Sequence, residues 1–214
     1  MTAVSERLAS VRARIERAGR NPDEVAIVAV TKGFDVSACR DGLAAGLRML
    51  GENRVQEALR KIEALPEAEW HLIGHLQTNK VRTAAGRFAL IQSVDSVRLA
   101  ERIAQMTPTQ SVLVEVNVAR EPQRSGVDPA QALDVITVVA GLLDLQGLMA
   151  MGPSHGDPTP AFTEVRELRD AAVQRLGKRL PILSTGMSRD FEAAVATGST
   201  MLRLGEVLFG PRPA

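Results

Sequence analysis

Along the chain, short apolar runs alternate with longer segments whose apolar residues recur every three or four positions. The runs at 25–31, 48–50, 69–73, 89–93, 111–118, 145–150, 181–184 and 201–204 predict eight strands. Several are continuous Val/Ile/Leu/Ala stretches, the pattern of strands covered on both faces. Between them lie amphipathic stripes. Val4, Leu8, Val11 and Ile15 share one face of an opening helix that stops at Gly19, before the breaker Asn21-Pro22. Asp35 or Ser37 caps a second helix that ends at Gly46. Asn53 and Gln56 have the spacing of a capping box, with Val55, Leu59 and Ile62 as the buried stripe before Pro66.

No two runs are spaced as a hairpin, so the order is β and α in alternation. Eight parallel strands either close or splay into an open sheet, and closure gives an α/β fold of the (β/α)₈ barrel type. After the last strand only 206–211 remain before the final residues, too short for a full eighth helix, so the opening helix is expected to fill that gap. At 214 residues and 45% hydrophobic content, with no linker or internal repeat, a single domain over 1–214 is expected.

Composition narrows the function. With 26 basic against 25 acidic residues and no basic block, nothing tracks a phosphate backbone, which argues against nucleic acid as a partner. No apolar run approaches membrane-spanning length, and the N-terminal segment is amphipathic rather than a signal sequence; a cytoplasmic protein is expected. The lone Cys39 sits in an alanine-rich helical pattern and reads as a core residue. His71 and His75 have i, i+4 spacing, but Gly74 lies between them and the segment reads as a strand entering a loop; no metal site is expected. His75 instead reads as a strand-end residue near a ligand.

Lys32 closes the first apolar run just before Gly33. In α/β folds chemistry collects at the carboxyl ends of strands. A desolvated amine there has a lowered pKa and can attack a carbonyl to form a Schiff base. The alternative is a lysine that snorkels into solvent. Phosphate sites in barrels are commonly built after strands seven and eight. After the seventh run, Ser184-Thr185-Gly186-Met187-Ser188-Arg189-Asp190 leads into a helix, offering backbone N–H groups and the Ser184 and Ser188 hydroxyls. Ser188 could equally be a plain helix cap. After the eighth run, Arg203-Leu204-Gly205 adds a cation and a glycine that permits close approach. An amine for a carbonyl, a phosphate cradle and an arginine together describe pyridoxal 5′-phosphate.

Six ordered blocks carry a resemblance across nearly the whole chain: 29–32 (AVTK), 51–57 (GENRVQE), 70–80 (WHLIGHLQTNK), 147–151 (GLMAM), 183–188 (LSTGMS), and 203–205 (RLG) with Phe209-Gly210. In these the chain resembles the pyridoxal phosphate homeostasis proteins, small barrels shaped like the N-terminal domain of alanine racemase. The resemblance implies a Schiff base on Lys32, a phosphate surrounded by Ser184, Gly186, Met187, Ser188 and Gly205, and Arg203 facing the pyridine nitrogen. Asn53 would lie beside the ring, or cap the third helix, or both. His75 and Met151 are further candidates beside the cofactor. Two positions depart from the family pattern: a tyrosine expected in the second block is Arg54, and a threonine often found after the last glycine is Glu206, whose side chain is expected to point away from the phosphate.

An arginine at the ring nitrogen disfavours its protonation and weakens the ring as an electron sink. Racemisation also requires an acid–base group on each face of the substrate carbon, and the chain has no tyrosine to supply one. A carrier or regulator of vitamin B6 and amino-acid pools is therefore expected rather than an enzyme, as a monomer with transient apo-enzyme acceptors. The alternatives are a pyridoxal-phosphate-dependent racemase or Schiff-base aldolase, and a protein that regulates a partner without its ligand.

Overall fold

A computed structural model describes residues 2–212. The strands are β1 (Ala26–Val30), β2 (Met49–Glu52), β3 (Glu69–Leu72), β4 (Leu90–Val94), β5 (Ser111–Val116), β6 (Asp144–Ala150), β7 (Ile182–Ser184) and β8 (Met201–Leu204). All pair in parallel, each with its sequence neighbour, and β1 pairs with β8 to close the barrel. Each falls within two residues of its expected place, β2 running on to Glu52 and β5 stopping at Val116. The continuous runs are legible because both faces of these strands are covered: helices outside, neighbouring strands within.

Around the barrel lie α1 (Ala3–Arg17), α2 (Val36–Ala44), α3 (Val55–Ala64), α4 (Val81–Ala84), α5 (Val97–Met106), α6 (Pro129–Leu142), α7 (Thr159–Leu176), α8 (Phe191–Ala196) and the single turn α9 (Glu206–Phe209). The opening helix α1 packs against α2, α8 and α9, occupying the place of the missing eighth helix. Arg14 fastens it there: its guanidinium donates to both Glu192 oxygens at 2.9 and 2.7 Å and lies 4.3 Å over the Phe191 ring. Arg7 adds a bond to the Leu208 carbonyl at 3.3 Å. Asp35 caps α2 by accepting from the Ala38 N–H.

Two expectations at α3 are corrected. The helix starts at Val55 with Arg54 at its N-cap, so Asn53 is not the cap. Its buried positions are Val55, Ala58 and Lys61, while Leu59 and Ile62 are only partly covered, because the Lys61 ammonium reaches inward to a buried carboxylate.

The lumen is filled in two tiers. Val28, Leu90, Leu113, Met149 and Met201 form an apolar plug, with Ala26, Met49 and Ile182 packed on it. Burying side chains of this size contributes about 1.5–3 kcal/mol each. Two residues further along the strands the lumen turns polar: His71, Gln92, Glu115, Ser184 and Arg203 are all buried. Beyond them the barrel opens. Cys39 is buried in the outer core, where burial pushes its thiol up, away from the reactive thiolate.

Candidate functional site

At the carboxyl ends of the strands lies an open cavity of about 1210 Å³. Lys32, Asn53, Met151, Met187, Ser188, Arg203 and Gly205 all line it, from five different strand ends. These positions were expected to meet, and the fold brings them together.

Lys32 follows β1 and is partly buried. Burial pushes its amine pKa down, and the Arg212 and Arg203 charges push the same way, with Glu52 opposing them. The backbone on either side is held by one buried cluster. The Lys61 ammonium donates to the Thr31 carbonyl at 2.8 Å, to Glu52 Oε1 at 2.6 Å and to Glu57 Oε1 at 3.0 Å. The Thr31 hydroxyl donates to the same Glu52 oxygen at 2.6 Å, and the Gly33 N–H donates to Glu57 at 2.8 Å. Burial raises the Glu52 carboxyl, and its second oxygen has no hydrogen-bond partner. Glu57 and Lys61 stand four apart on α3, a local helix pair, yet nothing local in the sequence says that Glu52 and Thr31 join them.

Asn53 sits where β2 ends. Gly74, at the end of β3, lies so close that a Cβ there would meet the Asn53 carbonyl oxygen at 2.4 Å. Asn53 itself lies on the cavity wall. His75, in the loop after β3, does not line this cavity. Its Nδ1 pairs with Asp95 at 2.8 Å beside a smaller hollow formed with Leu76, Gln77 and Asp95.

Arg203 is only 5% exposed yet lines the cavity. Nη1 donates to the Ser184 carbonyl and to Ser184 Oγ, both at 2.7 Å, and Nη2 donates to the Ala150 carbonyl at 2.9 Å. Burial lowers its pKa to about 10, with Glu115 and Asp190 acting in the opposite direction. Glu115, buried nearby on β5, is raised to about 7 by burial, against the pull of Arg203.

The seventh-strand loop corrects three expectations. Ser184 is wholly buried and its hydroxyl donates to Gln92 Oε1 at 2.7 Å, so it supports Arg203 instead of lining the cavity. Gly186 is buried beneath the lining: with φ +89° and a hypothetical Cβ 2.6 Å from Ala194 Cβ, it turns the chain where no side chain fits. Ser188 is not the cap of α8, which has Asp190 at its N-cap; the Asp190 carboxylate accepts from the Met187 N–H at 2.6 Å. Ser188 Oγ instead accepts from the Val207 N–H at 3.3 Å, tying the two loops together.

No partner among the described residues takes the N–H groups of Ser188, Arg189 or Gly205, all on the cavity lining. Converging free N–H donors beside arginines suit a phosphate dianion. Glu206 stands on the same rim, exposed, as the first residue of α9. A third wall is a clasp that sequence reading missed. Arg124 donates to the Gly152 carbonyl and, at 2.9 Å, to Ser154 Oγ, while Glu121 accepts from the Ser154 N–H at 2.7 Å. The donor set thus pairs a carbonyl-reactive amine with phosphate-binding N–H groups, which fits pyridoxal 5′-phosphate. Among the described residues there is no group of three His, Cys, Asp or Glu side chains that could hold a metal, and no helix long and apolar enough to cross a membrane.

Comparison with known proteins agrees with this geometry. Residues 4–213 match the family model "Alanine racemase, N-terminal domain". The pyridoxal phosphate homeostasis protein of Aquifex aeolicus is 40% identical, with 97% of each chain covered. That of Escherichia coli is 37% identical over 99% of this chain and 98% of its own. The structure of PipY from Synechococcus elongatus with pyridoxal phosphate bound superposes with a TM-score of 0.85 at 37% identity, covering 97% of this chain and all of that one. Matched end to end by relatives of one name, and built on the same closed barrel, the chain belongs to the family of pyridoxal phosphate homeostasis proteins.

Proposed function

We propose that this chain binds pyridoxal 5′-phosphate in the strand-end cavity, held as a reversible Schiff base on Lys32, and serves vitamin B6 and amino-acid homeostasis as a carrier or regulator. The observation that carries the reading is the Lys32 amine, partly desolvated, lowered in pKa and fixed by its backbone at the floor of the cavity. The group, when bound, supplies an aldehyde for that amine and a phosphate for the far wall. The free N–H groups of Ser188, Arg189 and Gly205 receive the phosphate, and Met187 packs at its edge. Arg203 faces the pyridine nitrogen and keeps it unprotonated, because a fixed cation there opposes a second positive charge. Asn53 and Met151 flank the ring.

An enzyme of the racemase or aldolase class would need a second acid–base group poised opposite Lys32, and the tyrosine that serves alanine racemases has no counterpart in this composition. The whole span 1–214 is taken to act as one cytoplasmic, monomeric domain that gives its cofactor to transient apo-enzyme acceptors. The test loads the protein with pyridoxal 5′-phosphate, removes the excess, and presents it both to an apo-enzyme and to a panel of amino acids. Activation of the apo-enzyme without amino-acid consumption is expected. Sustained turnover of any amino acid would contradict the carrier reading.

A further inference from the structure

A line of buried side chains crosses the lumen from one mouth of the barrel to the other. It starts at Glu69, the first residue of β3, whose side chain is 47% exposed at the amino-terminal mouth. Glu69 Oε1 lies 3.1 Å from His71 Nε2, and His71 Nδ1 lies 2.9 Å from Gln92 Nε2. Gln92 Oε1 accepts from Ser184 Oγ at 2.7 Å, and Ser184 Oγ accepts from Arg203 Nη1 at 2.7 Å. All four inner members are buried: His71, Gln92, Ser184 and Arg203.

The two ends, with the Gln92 amide oxygen turned to Ser184, set the direction of the protons between them. A guanidinium only donates, so Ser184 Oγ accepts from it, and its single hydrogen goes to the Gln92 oxygen that faces it. A carboxylate only accepts, and the His71 bond holds the Glu69 carboxyl below its ordinary value, so it is ionised near neutral pH. His71 therefore carries its proton on Nε2 and accepts at Nδ1, which in turn orients the Gln92 amide with its nitrogen toward the histidine. The second Gln92 hydrogen goes to Met201 Sδ at 3.3 Å. Four bonds aligned head to tail polarise one another in a low-dielectric interior.

We propose that Glu69, His71, Gln92 and Ser184 form a through-barrel chain of positioning residues that sets the orientation and the effective charge of Arg203 at the cofactor ring. The inference rests on the cofactor reading above. Its functional content is that a charge at the solvent-facing amino-terminal mouth is felt at a cavity on the opposite end of the molecule. Arg203 is clamped from below by this chain and by the Ser184 and Ala150 carbonyls, so it cannot swing to meet the ring; the chain adjusts how much positive potential it presents.

The experiment is a double-mutant cycle. Glu69→Gln keeps an acceptor for His71 but removes the charge, at an exposed site where folding is not at stake. Ser184→Ala cuts the chain beside Arg203. The visible absorption maximum and the dissociation constant of bound pyridoxal 5′-phosphate are measured in all four proteins. Glu69→Gln is expected to shift the band and change the dissociation constant by about two- to fivefold, and to do neither in the Ser184→Ala background. Equal effects in both backgrounds, or none in either, would overturn the chain. Should Ser184→Ala not fold, ¹⁵N spectra of the cofactor-free parent decide the matter: a neutral His71 protonated on Nε2 supports the chain, and protonation on Nδ1 overturns it. A parent protein that binds no pyridoxal 5′-phosphate would sink the functional reading, while the histidine spectrum would still test the chain.

Discussion

Lys32 and Arg203 face one cavity, and the barrel holds them in opposite ways. Arg203 is tied through its own guanidinium, by three bonds to Ser184 and Ala150. Around Lys32 the bonds go to its neighbours, Thr31 and Gly33, and among the described residues no hydrogen bond restrains its amine. The difference follows from what each group must do. A nucleophile has to keep its lone pair free and its side chain able to move when the bond to the carbonyl forms and breaks. A group that only shapes the field at the ring works best when it does not reorganise. The protein therefore spends hydrogen bonds on the side chain of one and on the backbone of the other.

The sharpest break in this comparison is at the support of Lys32. Lys61→Met leaves the Glu52 carboxylate buried without its cation and should cost about 3–5 kcal/mol in urea unfolding. The pair replacement Glu52→Leu with Lys61→Met should recover much of that loss, and a double variant as unstable as the single one would deny the pairing. Next comes the contrast itself. Arg203→Met orphans the Ser184 and Ala150 acceptors and should cost about 2–4 kcal/mol. Lys32→Met, which breaks no bond and relieves desolvation, should change stability by less than about 1 kcal/mol while abolishing the cofactor's visible band. Equal losses for the two would erase the distinction drawn here.

Beside Arg203, Glu115 gives the comparison a pH axis. Its folded value of about 7 stands above the ordinary 4.5, so the protonated form is favoured in the folded state. The stability it contributes is fully present below the unfolded value and is lost as pH rises through the folded one. Relative to the parent, Glu115→Gln should therefore gain stability between about pH 5 and 8, by up to about 3 kcal/mol whatever its offset at low pH. Parallel stability curves would count against a buried, titrating carboxyl. The smallest effect belongs to the rim: Glu206→Thr removes a negative charge beside the phosphate loops and supplies a hydroxyl, and should tighten cofactor retention by about two- to fivefold. Weaker retention would give Glu206 a role other than the one inferred.

Much of the fold was legible because its strands are doubly covered and so read as unbroken apolar runs; even the use of α1 to complete the ring followed from the short stretch after β8. The boundary of β2 was not. Asn53 and Gln56 have the spacing of a cap, but pairing with β3 carries the strand to Glu52, two residues past its expected end, and that pairing is a contact between two strands. Ser184 and Ser188 look alike in the sequence, yet the period of two turns Ser184 into the lumen beneath Arg203 and the loop carries Ser188 up to the rim. Lys61 reads as a solvated helix charge. Its i, i+4 partner Glu57 is local to α3, but only the fold shows that Glu52 and Thr31 converge on it too.

The chain has four lysines, Lys32, Lys61, Lys80 and Lys178, which makes the central claim directly measurable. The protein is incubated with pyridoxal 5′-phosphate, reduced with borohydride, digested and mapped by mass spectrometry. The account predicts one labelled site, Lys32, in stoichiometric yield. Label on Lys80 or Lys178 instead, or spread among the lysines, would contradict it.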